Sequence, residues 1–258
     1  MYVSPNTLAM HLRVLHQQGF TFIQLDDWLA SADNREAVPP RCCAITFDDG
    51  WRDNYDHAYP VLSRARAPAT IYLVSELVGT RYSFWPSSLA RTLAKRGMSM
   101  RQIDETIMQY KATRSDEEMR AVIGSLENDA GERDLLSWPE IREMQESGLI
   151  RFGSHTRRHT RLRTGVDAGA LQDEIIGSRQ DIEQQLGAAP QTFCYPNGDT
   201  SLEAIQIVRS SYRGAVTTRR GWHSRDCNPF LIRRVGVHED ISDRPAAFLA
   251  RISGWPGY

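Results

Sequence analysis

The sequence predicts an α/β fold in which short strands alternate with helices to build a (β/α) barrel, imperfect or open. Three observations carry this. Short apolar or β-branched runs recur along the chain, each followed by residues at helical spacing. Strand–helix–strand succession favours parallel pairing through helical crossovers. Finally, Asp48-Asp49 and His155 stand where such runs end, and strand C-termini are where α/β folds place their chemistry.

In order, Ser4-Pro5 followed by Leu8, Leu12 and Leu15 predicts a capped amphipathic helix that stops at Gly19. Phe20 to Leu25 is a short strand, and Asp26-Asp27 open a second helix. After Pro39-Pro40, the run Cys43 to Phe47 predicts a buried strand that ends in Asp48-Asp49-Gly50. A helix from Tyr55 to Arg66 and a strand from Ala69 to Val74 follow.

From about 82 to 134 the chain becomes charged and helix-rich, with helices expected over Met100–Lys111 and Ser115–Asn128. This stretch holds few large apolar residues, so it is read as a helical insertion within one domain covering 1–258, without an independent core. Ser137-Trp138-Pro139-Glu140 is a capping box with proline in the first turn. Leu149 to Ser154 is then a strand that delivers His155, and Ala170 to Leu186 is a long helix closed by Gly187. Thr192–Tyr195, Gly214–Thr217 and Leu231–Val237 complete the strands. Helices are expected over Leu202–Ser210 and Pro245–Ile252, with a loop over Arg219–Pro229.

Composition excludes several classes. With 41% hydrophobic and 24% charged residues the chain is an ordinary globular sequence, and its net charge of −1 gives no reason to expect nucleic acid as a partner. Cys42, Cys43, Cys194 and Cys227 show no C-x-x-C spacing, so no zinc knuckle or thioredoxin-like motif is indicated. No apolar run is long enough for a membrane span, and Met-Tyr-Val-Ser-Pro lacks the layout of a signal peptide. As written the chain is expected in the cytoplasm; a truncated amino terminus would place it outside. The oligomeric state is left open.

Two constellations carry chemistry. The adjacent carboxylates Asp48 and Asp49 repel, so one of them needs a cation or its pKa rises. His155-Thr156-Arg157-Arg158-His159 spaces two imidazoles by four residues, which on a helical turn would stack them over one ion. Two histidines and a carboxylate form a three-ligand set that leaves a position for water. For the histidine pair alone, the competing reading is a solvated basic loop, since Arg157, Arg158, Arg161 and Arg163 surround it.

Thr46-Phe47-Asp48-Asp49-Gly50 and Ser154-His155-Thr156-Arg157-Arg158-His159 resemble, in order and separation, the first two motifs of the polysaccharide deacetylases, carbohydrate esterase family four. Phe193-Cys194-Tyr195-Pro196-Asn197-Gly198 is similar to the third, and the resemblance runs from about Val3 to Val237. It implies a distorted (β/α)7 barrel and a divalent metal, usually Zn2+, on Asp49, His155 and His159. It also implies Asp48 as the general base and the Asn197 N–H as an oxyanion donor, with Gly198 permitting close backbone approach. The implied activity is removal of N-acetyl groups from an amino-sugar polysaccharide or oligosaccharide. Alternatives are O-acetyl ester hydrolysis, cyclic imide or amide hydrolysis, and a carbohydrate-binding protein with a decayed site.

The chain also departs from the family pattern. Cys194 stands where the third motif of many members has the arginine that orients the base; Arg233 and Arg234 are the substitutes, with Arg234 preferred. His238, just after the last strand, is the candidate acid for the leaving amine. Trp51 and Tyr195 are the candidate walls of a sugar cleft, since apolar sugar faces stack on aromatic rings.

Overall fold

A computed structural model describes residues 2–33, 38–114, 118 and 133–253. Eight strands are present among them: β1 (Thr21–Phe22), β2 (Cys42–Cys43), β3 (Ile45–Phe47), β4 (Ala69–Leu73), β5 (Ile150–Ser154), β6 (Thr192–Cys194), β7 (Gly214–Arg220) and β8 (Ile232–Arg234). β3 to β8 form one sheet in sequence order, with every neighbouring pair parallel; β1 and β2 form a separate parallel pair. The six-stranded sheet is the curled, incomplete form of the expected (β/α) barrel.

The period-two alternation of strands explains why this sheet is buried on both faces. Along β4, Ile71 and Leu73 pack with Leu62, Ile141, Met144, Phe152 and Ile182 beneath the helices. Tyr72, between them, points the other way and packs with Leu25, Leu29, Cys194, Val216 and Ile232 inside the curl. Phe193 and Ala215 likewise face outward while their neighbours Cys194 and Val216 face in. Burying each such large apolar side chain stabilises the fold by about 1.5–3 kcal/mol. Gly153 lies opposite Tyr72 in the ladder, and a Cβ there would sit 2.4 Å from the ring. The missing side chain is what admits the tyrosine.

Several expected elements differ in extent. The run from Cys43 to Phe47 is interrupted at Ala44, where β2 leaves to pair with β1 and β3 joins the sheet. β7 continues past Thr217 to Arg220, so Arg219 is strand and not loop; Arg220 pairs with Arg234 across the ladder. The helix expected over 170–186 is helical from Ala168 to Leu186 but holds a wide π-type turn at Asp173–Gly177. The Pro245–Ile252 helix is as expected.

The insertion is helical, and it differs from expectation in having a core of its own. Gly79–Leu135 forms a compact unit in which helices Trp85–Lys95 and Met100–Thr113 bury Trp85, Leu89, Leu93 and Ile103. Spacing of these residues along two helices, not their number, makes the cluster possible. The helix expected over 115–128 falls, apart from residue 118, outside the described residues. Among the described residues no helix is long and apolar enough to cross a membrane.

Candidate metal centre

β3 ends in a tight turn in which Asp49 and Gly50 both adopt left-handed backbone, with φ of 71° and 69°. Such a conformation is costly for a residue with a Cβ and persists only where its surroundings enforce it. Here it separates the two neighbouring carboxylates and gives each its own partners.

Asp48 faces the interior of the curl on the same side as Thr46, two residues before it. There Arg234 of β8 meets both: Nη1 and Nη2 each donate to a different oxygen of Asp48 at 2.7 Å, and Nη1 also donates to Thr46 Oγ1 at 3.0 Å. The guanidinium Nε donates to the Thr217 carbonyl at 2.9 Å, which fixes the fork in place. Burial by itself would raise the Asp48 pKa, but the Arg234 charge and hydrogen bonds outweigh it and hold the carboxyl below the usual range. Cys194 Sγ lies 3.4 Å from Arg234 Nη2.

Asp49 turns instead toward the histidines. Its Oδ1 lies 3.3 Å from His155 Nε2 and 3.3 Å from His159 Nε2, while Oδ2 accepts a hydrogen bond from Trp51 Nε1 at 3.0 Å. Burial opposes ionisation of Asp49, yet the two imidazoles hold its pKa far below the ordinary value. His155 is fully enclosed, and its Nδ1–H donates to the Cys194 carbonyl at 2.8 Å. That bond keeps a proton on Nδ1, so Nε2 is the nitrogen that offers a lone pair once the ring is neutral, the arrangement common to metal-bound histidines.

The segment between the histidines is not a helical turn. It leaves β5 as irregular chain with left-handed backbone at Thr156 (φ 63°) and His159 (φ 62°), and the two rings stand edge to face at 5.0 Å. The imidazoles converge as expected, but by these two turns and not by i, i+4 stacking.

Two groups among the described residues bring three potential ligand atoms within 4.8 Å: Asp49 with His155 and His159, and Asp48 with His155 and Cys194. Chemistry favours the first. Both oxygens of Asp48 are engaged by Arg234, and His155 Nε2 faces Asp49. Tetrahedral zinc with bonds of about 2.0–2.1 Å places its ligand atoms roughly 3.3 Å apart, which matches the separation of Asp49 Oδ1 from each imidazole nitrogen. The donor set of one carboxylate and two imidazoles suits zinc and other first-row divalent ions.

The remaining expected site residues are placed as follows. Asn197 has φ 55° in a short turn, Pro196–Gly198, closed by Gly198 N–H to the Tyr195 carbonyl at 2.8 Å and Asp199 N–H to the Pro196 carbonyl at 3.1 Å. The Asn197 N–H takes part in neither bond. Gly198 (φ 75°) has no room for a side chain, since a Cβ would meet Thr218 Oγ1 at 2.0 Å. Asp199 ties this turn to the chain beyond His159 through Arg161 and Arg163, the latter at 2.8 Å. Trp51 is partly exposed beside Asp49.

Tyr195 departs from expectation: its ring is fully buried against Phe193 at 5.2 Å in the outer core, so it lines no open cleft. Strand alternation carries it to the helix-covered face. His238 caps the short helix Glu239–Ser242; burial lowers its pKa, and its charged neighbours include Asp240 and Arg251, with no hydrogen bond or ion pair to Asp48 or Asp49. Sequence reasoning missed Glu174, whose carboxylate grips the histidine segment from fifteen residues beyond His159, with no local pattern to mark it.

Known proteins resemble this chain in sequence and in fold. A family model described as polysaccharide deacetylase matches residues 35–212. YxkH of Bacillus subtilis (strain 168), which is named for the same class, is 23% identical over 241 residues, 93% of this chain and 67% of the relative. Poly-beta-1,6-N-acetyl-D-glucosamine N-deacetylase of Staphylococcus aureus is 19% identical over 265 residues, 99% of this chain and 72% of the relative. The deacetylase PplD of Streptococcus pyogenes, solved in complex with acetate, shares the fold with a TM-score of 0.70 at 21% identity, covering 97% of this chain and 87% of that one. With its family model spanning more than half of the sequence, the chain belongs to the polysaccharide deacetylases.

Proposed function

We propose that the protein is a metal-dependent deacetylase that hydrolyses N-acetyl groups on an amino-sugar polysaccharide. The observation that carries this reading is the division of labour between two adjacent acids: Asp49 faces two imidazoles, while Asp48 is held ionised and oriented by Arg234. The S. aureus relative, named for an N-acetylglucosamine polymer, supports the substrate class.

Asp49, His155 and His159 would hold the ion, with zinc as the proposed metal. A divalent ion there supplies a Lewis acid for the acetyl carbonyl and lowers the pKa of water toward neutrality. Asp48 takes the proton of the attacking water. Arg234 fixes the orientation of that carboxylate at two points, and it offsets the burial that would otherwise neutralise the base. The Asn197 N–H is proposed to stabilise the developing oxyanion, and Gly198 lets the turn approach closely. Trp51 is proposed as a platform for an apolar sugar face.

The leaving nitrogen must take up a proton. Asp48, having accepted one from water, and His238, four residues after Arg234, are the two proposed donors. His238→Ala separates them: lower turnover on amides than on activated esters, whose leaving groups need little protonation, assigns the histidine. An equal effect on both assigns Asp48.

Acetate release from a panel of N-acetylated and O-acetylated glycans tests the substrate class. Turnover of the N-acetylated polymers is the expected result. Release from O-acetyl esters alone would replace the amidase reading by the esterase one.

A further inference from the structure

The chain between His155 and His159 leaves its N–H groups without helical acceptors, and two successive ones converge on a single side chain. The backbone N–H groups of Arg157 and Arg158 both donate to Glu174 Oε2 at 3.0 Å, and Arg158 Nε donates to Oε1 at 2.9 Å. The Glu174 side chain is 3% exposed. Consecutive N–H groups aimed at one point form a concavity suited to an anion, and a carboxylate fills it here.

Glu174 reaches the segment from the π-type turn Asp173–Gly177. Wide turns of this kind are frequent at functional sites. The same turn lets Arg157 lie against the helix: a Cβ on Gly177 would meet Arg157 Cδ at 2.6 Å, and Arg157 Nε instead reaches Asp181 at 2.9 Å. The segment's carbonyls are held from the opposite side, where Ser75 N–H donates to the Thr156 carbonyl at 3.2 Å and Glu76 N–H to that of Arg157 at 3.0 Å. The backbone between the two histidines is therefore gripped on both sides, and among the described residues Glu174 is the charged side chain that binds its amides.

We propose that Glu174 is a positioning residue for the metal centre. Its carboxylate gathers the Arg157 and Arg158 amides, and so holds the left-handed turns that bring His159 Nε2 onto Asp49 beside His155. This rests on the reading of Asp49, His155 and His159 as metal ligands. Neither an i, i+4 helix nor a sheet ladder supports His159, so the carboxylate takes the place of regular secondary structure in setting its height.

The test uses the full chain, stripped of metal and titrated with Zn2+ against a chromophoric chelator, and with Co2+ for its visible absorption. Glu174→Ala and Glu174→Gln are expected to weaken Zn2+ binding by about 10- to 100-fold and to shift the Co2+ bands, as outer-shell changes do. Arg157→Met removes the ion pairs of a side chain that does not touch Glu174, keeps both backbone donors, and should stay within about threefold of the parent. Parental affinity and spectrum in folded Glu174 variants would overturn the proposal. So would an equal loss in Arg157→Met, which would place the effect in the side-chain ion pairs. A measurement without substitutions guards against variants that fail to fold: the Arg157 and Arg158 amides should exchange slowly in the metal-free parent, and rapid exchange would also overturn it. A parent that binds no Zn2+ would instead remove the metal-centre reading itself.

Discussion

Arg234 and Asp48 are joined at two points, with each terminal guanidinium nitrogen 2.7 Å from a different carboxylate oxygen. The arginine comes from the last strand of the sheet and the acid from its first, so the pair also spans the mouth of the curl. Its presence there accounts for Cys194 at the third motif: the charge beside the proposed base is supplied from β8, and the thiol sits beside it at 3.4 Å.

A lysine cannot reproduce that fork. Arg234→Lys should lower turnover by about 10- to 100-fold through loss of alignment of the base, while metal content stays at the parental level. The lysine keeps the charge but loses the paired hydrogen bonds that help hold the Asp48 carboxyl low, so the acid limb of the pH–rate profile should move to higher pH. An unchanged limb would show that Asp48 is not the titrating base.

Metal analysis distinguishes the neighbouring acids. Asp49→Ala, His155→Ala or His159→Ala should each purify without stoichiometric metal, because each removes one of the three proposed donors. Asp48→Asn should retain the metal and lose about 10²- to 10⁴-fold in turnover, the usual contribution of a general base. Metal loss in Asp48→Asn would transfer it to the ligand set.

Gly198 combines φ of 75° with a backbone approach that leaves 2.0 Å between a built Cβ and Thr218 Oγ1. Gly198→Ala should therefore destabilise the fold by about 1–3 kcal/mol and lower activity further by displacing the Asn197 turn. Urea denaturation reports the first effect and acetate release the second. A shift in stability alone would detach this turn from catalysis.

His11 offers a pH dependence remote from the metal centre. Its Nε2–H donates to the Ser242 carbonyl at 2.6 Å, and its ring stacks on Phe248 at 4.0 Å. Burial lowers its pKa below 6.5, outweighing the opposing pull of the Ser242 bond and Glu239. The unfolded chain thus binds this proton more readily than the folded one, so the stability contributed here is complete above pH 6.5 and is lost as pH falls from there through the folded pKa. Thermal unfolding of His11→Gln should show a deficit of about 1 kcal/mol or more at pH 8 that narrows toward pH 5. A deficit that is constant with pH would contradict this.

What could be read in the sequence follows the reach of the interactions involved. The Asp48-Asp49-Gly50 turn was legible because an apolar strand that ends in two acids needs a reason, although β3 is half-buried and not fully buried as expected, and Arg234 because a displaced charge called for a replacement. The two histidines were legible as a pair, yet their geometry was not. The left-handed turns at Thr156 and His159 depend on Glu174, and no local spacing encodes a carboxylate fifteen residues away that binds backbone amides. Tyr195 was misplaced for a different reason: directly after β6 it continues the alternation that puts Phe193 on the helix-covered face, and its position beside a motif does not change that. The insertion's core depends on the pairing of two helices that composition alone undercounts.

The central claim is that one divalent ion, held by Asp49, His155 and His159, is required for hydrolysis. Its most direct test measures acetate release from an N-acetylglucosamine polymer by a single preparation, before chelation, after removal of the metal, and after stoichiometric Zn2+ is returned. Activity should vanish with the metal and return with one equivalent of it. Undiminished acetate release from the metal-free protein would contradict the account.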